Sequence, residues 1–152
     1  KGNAGRIHIG AMLFYQYDPK LKETLEYYDE FPLIFLVDIT DKGFYGLNLH
    51  FLPPKIRAIL FDKLLTLANN SKGDATTKLR ISYQILKSVS KFKFFAPCFR
   101  EYLFSHVKSK VIKIDPSSWE LALFLPVQNF KKASSSKIWS DSTIAISKPP
   151  KP

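Results

Sequence analysis

An internal disulfide is excluded from this 152-residue chain, because Cys98 is its single cysteine. A lone thiol fits a reducing compartment and leaves packing to hold the fold. Long apolar runs are missing as well. The longest, Leu33 to Val37, has the length of a strand and falls far short of the roughly 18–20 residues that a membrane span needs, so no membrane partner is expected. No signal-peptide pattern is visible. The sequence begins at Lys1 rather than Met, which leaves its natural N-terminus open.

Signatures of chemistry are equally scarce. His8, His50 and His106 lie far apart, and HExxH, CxxC, GxSxG, the Walker loop and the dinucleotide fingerprint are absent. No enzyme activity, cofactor, metal or small-molecule substrate is therefore expected. Cys98 and His106 stand eight residues apart, about 12 Å on a helix, too far to share a proton. Cys98 reads as a small buried apolar residue, and His50 as a hydrogen-bonded structural one. Asp18, Glu23, Glu26, Asp29 and Glu30 lack the pattern of a calcium loop, and their spacing reads as a solvated helical face. Asp38 and Asp41 beside Lys42 are explained better by a turn than by two-metal chemistry.

What the chain does have is a globular balance, with 45% hydrophobic, 24% charged and 14% aromatic residues. That is enough apolar area for one domain of this length. Net charge is +10, and it is unevenly placed. Residues 1–60 hold seven Lys/Arg and seven Asp/Glu, whereas residues 61–152 hold sixteen and six. A surplus confined to one part of a chain points to a polyanionic partner or an acidic protein neighbour.

Periodicity predicts the elements. A strand is expected over 10–17 and a polar connection over 18–30. A doubly buried strand over 31–39, the turn Asp41-Lys42-Gly43 and an alternating strand over 44–51 make a hairpin. Gly46 inside the second strand marks a bulge or a close backbone approach. Helices are expected over 54–69, opened by Pro54, over 75–90, and over 97–107. A strand follows at 110–114, and Asp115-Pro116 starts a further turn of helix or a last strand at 119–125. The fold class is α+β: a small curved antiparallel sheet, barrel-like if it closes, with about three helices packed on one side. The expected organisation is an N-terminal arm at 1–9, a globular domain at 10–126 and an extended, basic, Ser/Pro-rich arm at 127–152. Within that last arm, Ile138, Trp139, Ile144 and Ile146 are the candidates for docking a partner.

One positive functional signal remains. Lys87, Lys91, Lys93, Arg100, Lys108, Lys110 and Lys113 face a single acid, Glu101, and Lys131 and Lys132 extend the charge into the tail. Such residues neutralise phosphates without reading sequence. The alternation Lys91-Phe92-Lys93-Phe94 sends its rings to the core, which favours phosphate contact over base stacking.

Phe31-Pro32-Leu33, Gly43-Phe44, the run Gly46 to Pro54, Arg57 and Asp62-Lys63-Leu64 together resemble a protein family of large contractile-tailed bacteriophages. Cys98 to His106, Asp115-Pro116 with Trp119, Ala122 to Pro126 and Trp139 to Ser142 extend the resemblance across roughly residues 10–142. Proteins of that kind are virion proteins of unassigned role or DNA end protectors. The resemblance implies a phage protein, in the virion and in host cytoplasm during assembly. Its expected partners are the DNA phosphate backbone, at DNA ends or in the head connector region, and other virion proteins held through the terminal arms. The alternative is a neck, tail or baseplate component whose arms clamp neighbouring subunits.

Overall fold

The computed structural model describes residues 8–62 and 96–147. The helix expected over 75–90 and Lys87, Lys91 and Lys93 lie outside these residues. Within them the α+β architecture is realised as a five-stranded antiparallel sheet beside a two-stranded one. The larger sheet contains β1 (Met12–Phe14), β3 (Leu33–Ile39), β4 (Gly43–Asn48), β5 (Phe99–Leu103) and β6 (Ile112–Ile114), in the order β5-β4-β3-β1-β6. β2 (Tyr28–Asp29) pairs with β7 (Phe130–Lys131). The helices are α1, at 54–62 of the described residues, α2 (Trp119–Phe124) and α3 (Ser135–Ser147). The larger sheet is open, with β5 and β6 as its edges, so it does not close into a barrel.

β3 is the centre of the molecule. Its run Leu33 to Val37 is buried on both faces, as a continuous apolar strand should be. On one face Met12, Leu33, Phe35, Val37 and Leu47 pack against Leu60 of α1 and Trp119 and Leu123 of α2. On the other face Leu13, Ile34, Leu36 and Phe44 pack with Tyr15, Tyr17 and Tyr102. The β3–β4 hairpin turns through residues 40–43, with Thr40 N–H donating to the Gly43 carbonyl at 2.8 Å. Gly46 pairs with Leu36, just before the register shifts. A side chain on Gly46 would lie 2.4 Å from Ile34 Cδ1, so the glycine marks the expected close approach.

Both helix starts carry the anticipated signals. α1 begins at Pro54. Asp115 accepts from Ser117 N–H at 3.0 Å and opens a 3₁₀ turn (Pro116–Ser118) that leads into α2.

Three segments depart from expectation. Residues 97–107, expected as a helix, hold β5 between two 3₁₀ turns (Ala96–Cys98 and Phe104–His106). The outer edge of β4 needs a partner, and pairing from Gly43↔Leu103 to Leu47↔Phe99 supplies it. The acidic stretch expected as a helical surface holds a 3₁₀ turn (Lys22–Thr24) and β2, and it buries Asp29. The stretch expected as an extended arm carries β7 and the thirteen-residue α3. Ser134 Oγ accepts from Lys137 N–H at 3.1 Å, so the serine run supplies a helix cap. Ile138 and Ser142, four residues apart on α3, are buried, and Ile146 packs against the core.

Candidate nucleic-acid interface

The sheet divides the basic run. Arg100 lies on β5, whereas Lys108, Lys110 and Lys113 lie on the segment that leads into and forms β6, at the opposite edge. Five strands at about 4.8 Å spacing put roughly 19 Å between the two edge strands. Lys108 and Lys110 are exposed and Lys113 is half-buried. Lys131 pairs with Glu30 at 3.6 Å. Lys132 is exposed and bonds to the backbone of its own chain. Its Nζ donates to the carbonyls of Lys22 at 3.1 Å and Glu23 at 3.2 Å, and to that of Leu25. It therefore caps the 3₁₀ turn, and its charge is engaged within the chain. Of the four residues considered for docking, Ile138 and Trp139 sit against the chain's own core. Trp139 Nε1 donates to the His50 carbonyl at 2.8 Å. Ile146 also packs inward, and Ile144 alone is strongly exposed.

Residues 8–62 and 96–147 hold twelve Lys/Arg and twelve Asp/Glu. The whole +10 surplus therefore falls in residues 1–7, 63–95 and 148–152. Residues 63–95 alone contain Lys63, Lys72, Lys78, Arg80, Lys87, Lys91 and Lys93 against Asp74.

β5 forms part of the wall of a cleft of about 310 Å³. Phe99, Arg100, Glu101 and Tyr102 line it together with Tyr17, Pro19, Leu25, Tyr27, Tyr28, Asp29, Asn48 and Phe51. The Arg100 guanidinium lies over the Phe51 ring, 4.2 Å from its centroid, and Nη2 donates to the Pro97 carbonyl at 3.2 Å. Arg100 Nε has no acceptor among the described residues. Tyr17 and Tyr102 meet edge to face at 4.9 Å, and Phe99 stacks on Tyr45 at 5.5 Å. Burial raises the Tyr102 hydroxyl far above its ordinary pKa, so it stays a neutral donor.

A buried polar network supports this cleft. Asp29 Oδ2 accepts from Asn48 Nδ2 at 3.2 Å and is paired with His50 Nδ1 at 2.7 Å. Oδ1 accepts backbone N–H groups of Phe31 at 3.0 Å and Asn129 at 3.1 Å. Burial alone would raise the Asp29 carboxyl. The bond and charge of His50 and the two backbone donors outweigh it and hold the group below its ordinary value. His50 thus has the structural role read from the sequence. Nothing in the sequence set Asp29 apart from its acidic neighbours, because, apart from the Phe31 N–H, its partners stand nineteen to a hundred residues away.

Arg57 makes a second internal tie. It is buried, and it donates from Nε to the Leu52 carbonyl and from Nη1 to the Leu123 carbonyl, both at 2.7 Å. Burial brings its pKa down to about 10, which leaves it cationic at neutral pH. Burial also pushes the Cys98 thiol up to about 12, consistent with an apolar role. Among the described residues no cluster of three or more His, Cys, Asp or Glu could hold a metal ion, and no helix is long and apolar enough to cross a membrane.

The model of the protein family described as Phage T4 terminal DNA protecting protein matches residues 2–143. No curated protein and no solved structure matches the chain.

Proposed function

Because the chain belongs to the family of the phage T4 terminal DNA protecting protein, we propose that it binds the ends of phage DNA independently of sequence and shields them by occupancy rather than by chemistry. The observation that carries this reading is the segregation of charge. The stretch 63–95 holds seven bases and a single acid, whereas residues 8–62 and 96–147 together hold twelve of each. Phosphates are the polyanion that such a stretch matches, and contacts to phosphate carry no sequence information. The residues proposed to make them are Lys87, Lys91 and Lys93 in the stretch 63–95 and Lys108, Lys110 and Lys113 in the described fold. Lys131 and Lys132 contribute less, because Glu30 and three carbonyls already engage them. The protein would act on DNA in the virion or in the infected host cell.

The test is fluorescence anisotropy of the full chain on duplex DNA across a salt series, paired with an exonuclease-protection assay. Replacing Lys87, Lys91 and Lys93 by Gln is expected to lower the slope of log affinity against log salt by about 3, near 0.9 for each phosphate that is no longer neutralised. Protection of the termini should fall with it. An unchanged slope, or protection that persists at salt where binding has vanished, refutes the reading.

The reading as a clamp between virion proteins has less support. Ile138, Trp139 and Ile146, three of the four residues that would dock a neighbour, are engaged within this chain.

A further inference from the structure

From the cleft beside β5 we infer that the protein takes one unpaired terminal nucleobase between aromatic walls, with Arg100 as the hydrogen-bond donor to that base. The inference rests on the DNA-end reading and adds what the site recognises.

Three observations lead to it. The lining is dominated by six rings: Tyr17, Tyr27, Tyr28, Phe51, Phe99 and Tyr102. Its volume, about 310 Å³, lies at the lower end of the range of about 300–1,000 Å³ for sites that enclose a small flat ligand. Phe99 is 39% exposed although its ring stacks on Tyr45.

The charge of the lining selects a base over a phosphate. Arg100 is the one cation of the lining, and Asp29 and Glu101 share it. Glu101 offsets the Arg100 guanidinium and Asp29 is already paired with His50, so the lining offers an anionic phosphate no net positive charge, which a neutral base does not need. Asp29 does not compete for the ligand, since its two oxygens already serve Phe31, Asn129, Asn48 and His50. Arg100 lies over the Phe51 ring, and its Nε, a buried donor, has no acceptor among the described residues. A base edge carries ring-nitrogen and carbonyl acceptors suited to such a donor.

Position in the chain completes the argument. Phe99 follows Lys93, the last base of the stretch 63–95, by six residues. Phosphate neutralisation and base capture are thereby joined in one stretch of chain. Extruding a base from a duplex is costly, and least so for one already unpaired, so the cleft takes its base from a terminus.

The test compares two duplexes of equal phosphate count by anisotropy with the full chain. One carries a single unpaired terminal adenosine on either the 3′ or the 5′ strand, and the other carries an abasic residue there. The base-bearing end is expected to bind about tenfold more tightly, the effect of one base–aromatic stack. Phe99→Ala and Arg100→Gln should abolish that difference, while the abasic duplex keeps its steep salt dependence in Phe99→Ala. The wild-type comparison needs no variant, so a folding defect in either one does not remove the test. Equal, salt-dependent binding of the two ends overturns the base cleft and leaves the DNA reading standing. Absence of binding to any duplex at low salt overturns both.

Discussion

Replacing Asp29 by Ala is expected to unsettle the protein more than removal of any exposed acid. The carboxylate accepts two backbone N–H groups and one side-chain amide, and it is paired with His50. Truncation leaves these four groups facing an apolar space. Counting each orphaned donor at about 1–3 kcal/mol gives an upper limit, because neighbours relax and water enters. Loss of one partner of a buried pair, about 3–5 kcal/mol, is the better guide. For a net stability of about 5–15 kcal/mol, a loss near 4 kcal/mol is a large fraction. It corresponds to roughly a 10 °C fall in melting temperature for a domain of this size. Asp29→Asn keeps one acceptor oxygen and should lose about half as much. Urea denaturation monitored by tryptophan fluorescence measures both, with Asp41→Ala in the exposed turn as a control expected to change stability by less than about 0.5 kcal/mol. The sign of the pH dependence follows from the same contacts. The native Asp29 carboxyl is held below its ordinary value, so its stabilisation is present above about pH 4 and is lost as pH falls through the lowered native value. That component of the acid limb should be missing from the Ala variant. A loss below about 1 kcal/mol for Asp29→Ala would refute the assignment of Asp29 as the anchor of the cleft.

Three further outcomes are expected. Gly46→Ala puts a methyl 2.4 Å from Ile34 Cδ1 and should cost about 1–3 kcal/mol in urea. Adding Ile34→Val, which removes that atom, should recover part of the loss in a double-mutant cycle, and strict additivity would disprove the clash. Gly43→Ala directs its methyl at the Tyr102 carbonyl, a backbone atom 1.9 Å away, so it should unpair β4 from β5 and expose their amides to hydrogen exchange. Cys98, fully buried with its thiol pushed up to about 12, should resist alkylation at pH 8 in the native protein and react once urea unfolds it. Rapid native labelling would show that the 96–98 turn opens.

The parts of the fold written in local sequence were legible. The apolar run of β3, the turn before Gly43, Pro54 and Asp115-Pro116 each carry their instruction within a few residues. β5 was not legible as a strand. Phe99 and Tyr102 stand at helical spacing, and the edge of β4 that claims them lies more than fifty residues earlier. α3 was obscured by composition, because serines and a proline-rich end drew attention from Ile138, Ser142 and Ile146 at intervals of four, with a small residue at the centre of the buried stripe. The cleft lay beyond any local reading. Its rings come from the stretch 17–28, from Phe51 and from β5, and its anchor Asp29 resembled a member of a solvated acidic face until His50 and Asn129 were brought to it. Lys132 shows the converse, since a base counted toward DNA closes a turn of the chain itself.

Charge alone leaves a protector of termini incomplete. Phosphates are spaced along the interior of a duplex much as they are near its end, so a basic stretch holds DNA without locating a terminus. What distinguishes the end is a base with a stacking partner on one side only. A cleft walled by rings, poor in positive charge and close in sequence to the basic stretch answers that difference. In the proposed function the stretch 63–95 supplies affinity and the cleft supplies the preference for ends. Loss of the cleft rings should turn an end-binding protein into one that occupies duplex DNA along its length, and exonuclease protection should then fall while total DNA affinity stays nearly the same.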